Sequence, residues 1–499
     1  MKALRLRLFP ILLTLALAGA LALPVFSAPQ DAPVAGMTTE GVRGVAESMS
    51  AINARQAIED ARGNQSIREQ EDQDEREEKV DRSSLPQNPF APESAAMVDG
   101  QPTALPAEKS LSEAQQTVST TFTGATLSGT NPTLSFPPDS MGAVGPTQYV
   151  VFVNGRLVTF NKNTGAADGV LNANPDVFFA SVITSGSYTS DARIRYDRLS
   201  GRWFLVMIDV ATPNRIMFAV SDAASASAIT LSTVWTKFYL TSPTGCLSDY
   251  PTLGVDANAL YIGTNNFCSG GTSFAGTDGY VVRKSSIMGA GPIVYTRFAS
   301  LCTASSAGPY TPQGVDNYDP SATEGYFIGT DNAAYGLLQL RRVFNPGGTP
   351  TISANIPITV TSTVAPVLVN HLGNTKGNNG RLDALDDRLF AAHIRNGRLW
   401  TAHNIQVNAS GVANATGGRN GVRWYELNGV RTVDNGGAPV VVESGTIFDP
   451  TATSPVSYWI PSVMVSGQGH AVFGFSHAGA AANANAARAA SITPSVTLH

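Results

Sequence analysis

The sequence predicts an all-β fold, a β-propeller of about six four-stranded blades, and three features predict it. One hairpin pattern, a brief apolar strand, a tight polar turn and a more apolar strand, recurs six times after residue 140. Further strands succeed each hairpin, in sets of about four that recur every 55 to 80 residues. Long helical stretches are absent from this region, which counts against α/β folds. Repeated sets of this kind describe propeller blades better than a pair of sandwich domains.

The six hairpins are 142–151 (GAVGPTQYVV), 193–205 (RIRYDRLSGRWFL), 252–262 (TLGVDANALYI), 318–328 (YDPSATEGYFI), 382–391 (LDALDDRLFA) and 462–474 (SVMVSGQGHAVFG). Asn154-Gly155 and Asn396-Gly397 are favoured two-residue hairpin turns and mark further strand pairs. The last copy looks unfinished, because an Ala/Asn-rich run begins soon after Phe475 and the chain stops at His499. Two explanations stand open at this point: residues 120–136 supply the missing strands, or the chain is a shortened form of something longer.

The chain divides into a signal peptide (1–28), an acidic, Pro-containing disordered or partly helical spacer (29–117), the propeller (118–477) and an Ala/Asn-rich tail (478–499). Lys2, Arg5 and Arg7 precede an apolar run from Leu8 to Leu23, with small residues at Ser27 and Ala28 beyond it. That pattern reads as a cleaved export signal, since about sixteen apolar residues fall short of the ~20 a membrane helix needs. No later stretch is apolar and long enough to cross a bilayer. The expected location is therefore secreted or in the cell envelope. In the spacer, 68–82 (REQEDQDEREEKVDR) is nearly all charged, 45–61 could form a polar helix, and Pro86, Pro89, Pro92, Pro102 and Pro106 punctuate a small-residue stretch.

Charged residues are only 14% and the net charge is −5, so no general basic field attracts nucleic acid. Export gives the three cysteines meaning. Cys246 and Cys268 lie symmetrically about Ala257, the tip of a predicted hairpin, and antiparallel pairing brings them together as a disulfide. Cys302 is left over. Three free thiols are the alternative.

If the blade strands are A to D from the axis outward, the repeated A–B turns share one face. Asp197, Asp256, Asp319 and Asp386 stand at these turns, where Asp accepts backbone N–H bonds. The opposite face is the channel mouth, the usual ligand site in propellers, an expectation by analogy of fold. The residues entering the A strands should ring it: Asp139 and Ser140, Asp191 and Arg193, Asp249 and Tyr250, Asp316 and Asn317, Arg381 and Asp383, Tyr458 and Trp459. Such a ring suits a sugar or a peptide; a water-filled polar lining is the plain alternative.

The run 195–204 (RYDRLSGRWF), succeeded by 216–222 (IMFAVSD) and Trp235, resembles a blade of the sialidase-like propellers. Residues 249–256 (DYPTLGVD) and 458–462 (YWIPS) continue the likeness, which covers roughly 130–477 and is closest to large secreted bacterial propeller proteins of unassigned activity. The Asp-box of that superfamily is only hinted at by Ser221-Asp222 and Trp235. The resemblance implies an arginine clamp for a substrate carboxylate and a tyrosine nucleophile beside a carboxylate acid. Arg193 and Arg381 hold the clamp positions, Asp191 or Asp249 the acid and Tyr250 or Tyr458 the nucleophile. Arg193, Arg381, Asp316 and Trp459 are the expected ligand contacts.

Other chemistries have less support. His393 and His403 flank the Asn396-Gly397 turn, but pairing opposite Trp400 and Phe390 points their rings to opposite faces. Residues 316–319 (DNYD) and Asp383 with Asp386-Asp387 are oxygen-rich enough to suggest Ca²⁺, yet match no complete calcium loop, so no metal site and no cofactor is expected. The expected function is a non-catalytic binding or scaffold domain for an extracellular glycan or protein. The alternative is a sialidase-like glycoside hydrolase working with the mouth Arg, Tyr and Asp residues.

Overall fold

The structure, a computed structural model, describes residues 32–63, 66–69, 80–93, 120–434 and 437–491. The expected signal peptide and most of both the acidic run and the Pro-containing stretch lie outside these residues.

Six sheets succeed one another along the chain as blades of a propeller, antiparallel except that Asp316–Asn317 pairs in parallel with the first strand of the fifth. Blade 1 comprises Gly142–Val144, Gln148–Val153, Arg156–Asn161 and Ala167–Ala173. Blade 2 comprises Thr189–Asp197, Arg202–Asp209, Arg215–Ser221 and Val234–Thr241. In blade 3 the inner strand is split into Leu247–Asp249 and Gly254–Val255, before Ala259–Cys268, Ser273–Arg283 and Val294–Thr303. Blade 4 holds Pro309–Gly314, Glu324–Asp331 and Leu337–Phe344, with a broken outer strand, Thr351–Ile352 and Ile356–Thr359. Blade 5 is Leu389–Arg395, Arg398–Val407, Arg419–Asn428 and Val440–Ile447. Blade 6 has three described strands, Ser457–Val465, Ala471–Gly479 and Ala482–Ser491.

The cores lie between blades. Alternating strand residues from neighbouring sheets interdigitate, as stacked sheets must to remove both faces from water. Phe152, Trp203, Met217 and Trp235 belong to the cluster joining blades 1 and 2. Phe218, Phe238, Leu260 and Tyr280 join blades 2 and 3, and Tyr261 and Phe327 join blades 3 and 4. Leu338, Leu340, Leu399 and Tyr425 join blades 4 and 5, and Trp400, Trp424 and Phe473 join blades 5 and 6. The Cys246–Cys268 disulfide closes the mouth end of the blade 3 hairpin, and Cys302 is free and buried.

The described part of the spacer is built into the fold. Val34–Ala35 pairs with the outer strand of blade 4, Met37–Glu40 with that of blade 3, and Val45–Ser48 with that of blade 2. The helix Met49–Arg62 comes next, with Ser48 as its N-cap and Gly63 as a left-handed C-cap, and buries Met49 and Ile52 in the blade 1–2 core. This strap runs around the rim against the order of the blades and covers strand edges that would otherwise face solvent. Two glycines let it lie close: a Cβ on Gly36 would stand 2.5 Å from Thr296 and 2.7 Å from Phe298, and one on Gly44 2.5 Å from Thr236 and 2.6 Å from Phe238.

Three other expectations change. Within the expected Ala/Asn-rich tail the described residues include a strand: Ala482–Ser491 pairs with Ala471–Gly479 and packs Ala487 and Ala489 toward Phe473. Residues 120–136 do not complete blade 6: Phe122 packs on Tyr149 and Phe160 of blade 1, and Ser135–Phe136 pairs with Arg68–Glu69. The innermost hairpin of blade 5 is not 382–391. It is Leu389–Arg395 with Arg398–Val407 across Asn396-Gly397, and a bulge sets His403 opposite Leu389 instead of Phe390.

Candidate functional site

The inner strands share one irregularity. Each carries, at or just before its entry, a non-glycine residue with positive φ: Asp139 (44°), Asp191 (61°), Tyr250 (48°), Thr311 (43°), Leu385 (56°) and Ile460 (49°). In blades 2, 4 and 6 the strand register shifts there, so a bulge turns the chain at the mouth. Such conformations are costly for side chains with a Cβ and persist only where neighbours over-determine them. At four of the six positions the neighbour is a group on the adjacent blade. The Asp191 N–H donates to Asn154 Oδ1 (3.0 Å) and the Tyr250 N–H to Asp191 Oδ2 (3.0 Å). Asn265 Nδ2 donates to Thr311 Oγ1 (3.0 Å), and the Ile460 N–H donates to Asn404 Oδ1 (2.8 Å).

Blades 1, 2, 3 and 5 bring a charged cluster to this mouth. Asn154 Nδ2 donates to Asp139 Oδ2 (2.6 Å). Burial, then the neighbouring Asp191, push the Asp139 carboxyl well above the usual range against the pull of Arg193. The Tyr250 ring carries the guanidinium of Arg193 at 4.7 Å and that of Arg388 at 4.4 Å, two cation–π contacts on one ring. Burial raises the Tyr250 phenol although both arginines oppose it. Arg388 also forks onto Asp386 (Nε 2.8 Å, Nη2 2.7 Å), which accepts the Tyr310 hydroxyl at 2.7 Å. Burial would raise Asp386, but Arg388 and Arg82 outweigh it and hold the carboxyl well below its ordinary value. Arg82 reaches in from the N-terminal segment, lies 4.2 Å over the Tyr310 ring and pairs with Asp387 at 2.5 and 3.2 Å.

The expected residues distribute unevenly. Asp191, Arg193 and Tyr250 meet at the mouth. Asp249, half-buried, pairs with Asn265 in the blade 3 sheet. Tyr458 packs on Phe475 (5.0 Å) and His477 (6.5 Å), and Trp459 is buried with Val369, Ala384 and Ala478. Arg381 is exposed beyond the turn Gly377–Gly380 and does not reach the cluster. Asp316 is not a mouth residue: it leaves the blade 4 inner strand, pairs with Arg195 (2.6 Å) and accepts the Val255 N–H (3.0 Å). The reason is a shifted phase, since 318–323 is the turn itself and the strand enters at Pro309. The carboxylates weighed for calcium are likewise engaged, Asp386 by Arg388 and Asp387 by Arg82.

Sequence reasoning missed Arg388, Tyr310 and Arg82. For Arg388 a signal existed: reading Asn396-Gly397 as the inner turn of blade 5 moves that blade's entry to 385–388. Arg82 sits in a charged stretch and carries no such signal.

No protein-family model matches this chain, and no curated protein matches it. Among solved structures it is similar to a neuraminidase-like protein of A/little yellow-shouldered bat/Guatemala, at 8% identity over 71% of this chain and 94% of that one, with a TM-score of 0.37. It is also similar to a hypothetical selenium-binding protein from Sulfolobus tokodaii (10%, 66% and 67%, 0.37) and to a Cellvibrio cellulosa alpha-L-arabinanase mutant (10%, 61% and 94%, 0.30). Similarity at this level assigns no residue and no reaction; the propeller is read from the sheet order itself.

Proposed function

We propose that this chain is a secreted or envelope propeller that binds an extracellular glycan or protein at the channel mouth and performs no catalysis. The observation that supports it is the ring of six positive-φ residues, tied at several points by hydrogen bonds between blades. A mouth held in a costly conformation before any ligand arrives has less ordering left to do on binding. Export rests on the N-terminal pattern, and the Cys246–Cys268 disulfide is in keeping with it.

A sialidase-like hydrolase is the second reading, favoured by one arrangement: the raised carboxyl of Asp139 beside Asp191, Arg193 and Tyr250. Against it, the Tyr458 ring is packed on Phe475 and His477, Arg381 has no contact with the cluster among the described residues, and Tyr310, hydrogen-bonded to Asp386, is 1% exposed and out of reach of a substrate. The test is release of a fluorophore from sialyl and neutral aryl glycosides, run beside retention on immobilised extracellular polysaccharides and surface proteins. Retention lost in Arg193→Ala, with no turnover, supports binding. Turnover that disappears in Asp191→Asn refutes it in favour of hydrolysis.

A further inference from the structure

The other end of the channel, where the A–B turns meet, holds a cavity of about 430 Å³. Its wall takes Arg198 from the blade 2 turn, Tyr318 from blade 4, Arg395 from blade 5, and Met464, Val465 and His470 from blade 6. The Arg198 guanidinium lies 4.7 Å over the Tyr318 ring. Among the described residues neither Arg198 nor Arg395 has a carboxylate within ion-pair distance. The nearby acids are occupied: Asp197 by Lys284 (2.5 Å), Asp316 by Arg195 (2.6 Å). Two cationic forks therefore face one concavity without a counter-charge.

A second observation points the same way. Arg395 Nε and His393 Nε2 are buried polar atoms without a hydrogen-bond partner. His393 is 3% exposed and its ring stands 5.2 Å from that of Tyr318, which lines the cavity. Its pKa falls to about 4, through burial first and then Arg195, with the Val465 backbone opposing and Arg395 and Arg198 adding less. The charged groups that act on it are thus all cationic, and native structures seldom leave such buried polar atoms unmet.

We propose that this turn-side cavity binds a small organic carboxylate, clamped by Arg198 and Arg395. The planar guanidinium fork matches a carboxylate in a bidentate manner. Met464, Val465 and Val472 offer apolar wall for a hydrocarbon body, which an inorganic anion would not use. The site lies at the opposite end of the channel from the mouth and stands or falls separately from the binding role assigned there.

The experiment is titration calorimetry on the full chain with hexanoate, 1-hexanol and inorganic phosphate. Hexanoate is expected to bind, and hexanol and phosphate to bind at least about tenfold more weakly. Arg198→Gln and Arg395→Gln should each raise the hexanoate Kd about tenfold. Gly467→Ala keeps every charge but sets a Cβ 2.9 Å from Arg395 Nη2, and should weaken hexanoate while the unfolding temperature stays unchanged. Absence of hexanoate binding, equal affinity for hexanol or phosphate, or wild-type affinity in Gly467→Ala together with either folded arginine variant would overturn the proposal.

Discussion

Glu47 is the residue on which docking of the rim strap should depend most. It lies on Val45–Ser48, opposite Trp235 in the register with blade 2. Its carboxylate takes both nitrogens of Arg55 (2.5 and 3.0 Å), the Ser181 hydroxyl (3.1 Å) and the ammonium of Lys237, whose side chain is fully buried. Lys237 also donates to the Phe178 carbonyl and lies 4.4 Å over its ring. Burial pushes Glu47 upward, but Arg55 and Lys237 prevail and hold it at about 2, against an ordinary 4.5. At 1.36 kcal/mol per decade this difference has an upper bound of about 3 kcal/mol of coupling between charge and fold, reduced by solvent screening at the carboxylate's exposed edge. Burial in turn lowers Lys237 to about 8, so the pair is ionised at pH 7 and the ammonium's desolvation offsets part of the gain. The two partners' shifts thus act in opposite directions on stability, whereas breaking the pair strands a buried cation. Glu47→Gln should cost about 3 kcal/mol, and Glu47→Leu combined with Lys237→Met should recover most of it. The assay is urea unfolding monitored by tryptophan fluorescence, with Trp235 adjacent to the change, and amide exchange at Val45–Ser48. The folded-state pKa is lowered, so the contribution is complete above about pH 4.5 and disappears as the pH falls through about 2. A wild-type urea midpoint together with wild-type exchange in Glu47→Gln would refute the reasoning.

Gly44→Ala should loosen the strap without altering any charge, because its Cβ would meet Phe238 at 2.6 Å; faster limited proteolysis between residues 34 and 62 is the readout. Cys246→Ser should lower stability by about 3 kcal/mol, as expected for a crosslink spanning 22 residues, and reductant should lower the wild type by a similar amount. His393 and His403 are both held neutral by burial, each near 4 instead of 6.5. Their lowered values make the fold stable above pH 6.5 and progressively weaker as the pH falls from 6.5 toward 4. Thermal melts across that range should show the slope, and it should be reduced in His403→Phe.

The sequence alone determined that the chain is a series of hairpin-led blades, about six of them. Alternation of apolar and polar residues states which side of each strand is buried, and Gly and Asn at the turns state where it reverses. The symmetry of Cys246 and Cys268 about Ala257 likewise lies within one hairpin and needs no distant partner. At the mouth, Asp191, Arg193 and Tyr250 were legible because they sit a fixed step before strands whose phase was right. Where the phase slipped, in blades 4 and 5, Asp316 and Arg381 were set at the wrong place, since 382–391 has the composition of an inner hairpin without its position. Tertiary structure alone decided the rest. The strap strands are two to four residues long and join the blades through backbone hydrogen bonds, which leave no side-chain pattern to read. Lys237 meets Glu47 across 190 residues and Arg82 meets Asp387 across 305, encounters fixed by where the N-terminal segment lies against the blades and not by any local preference.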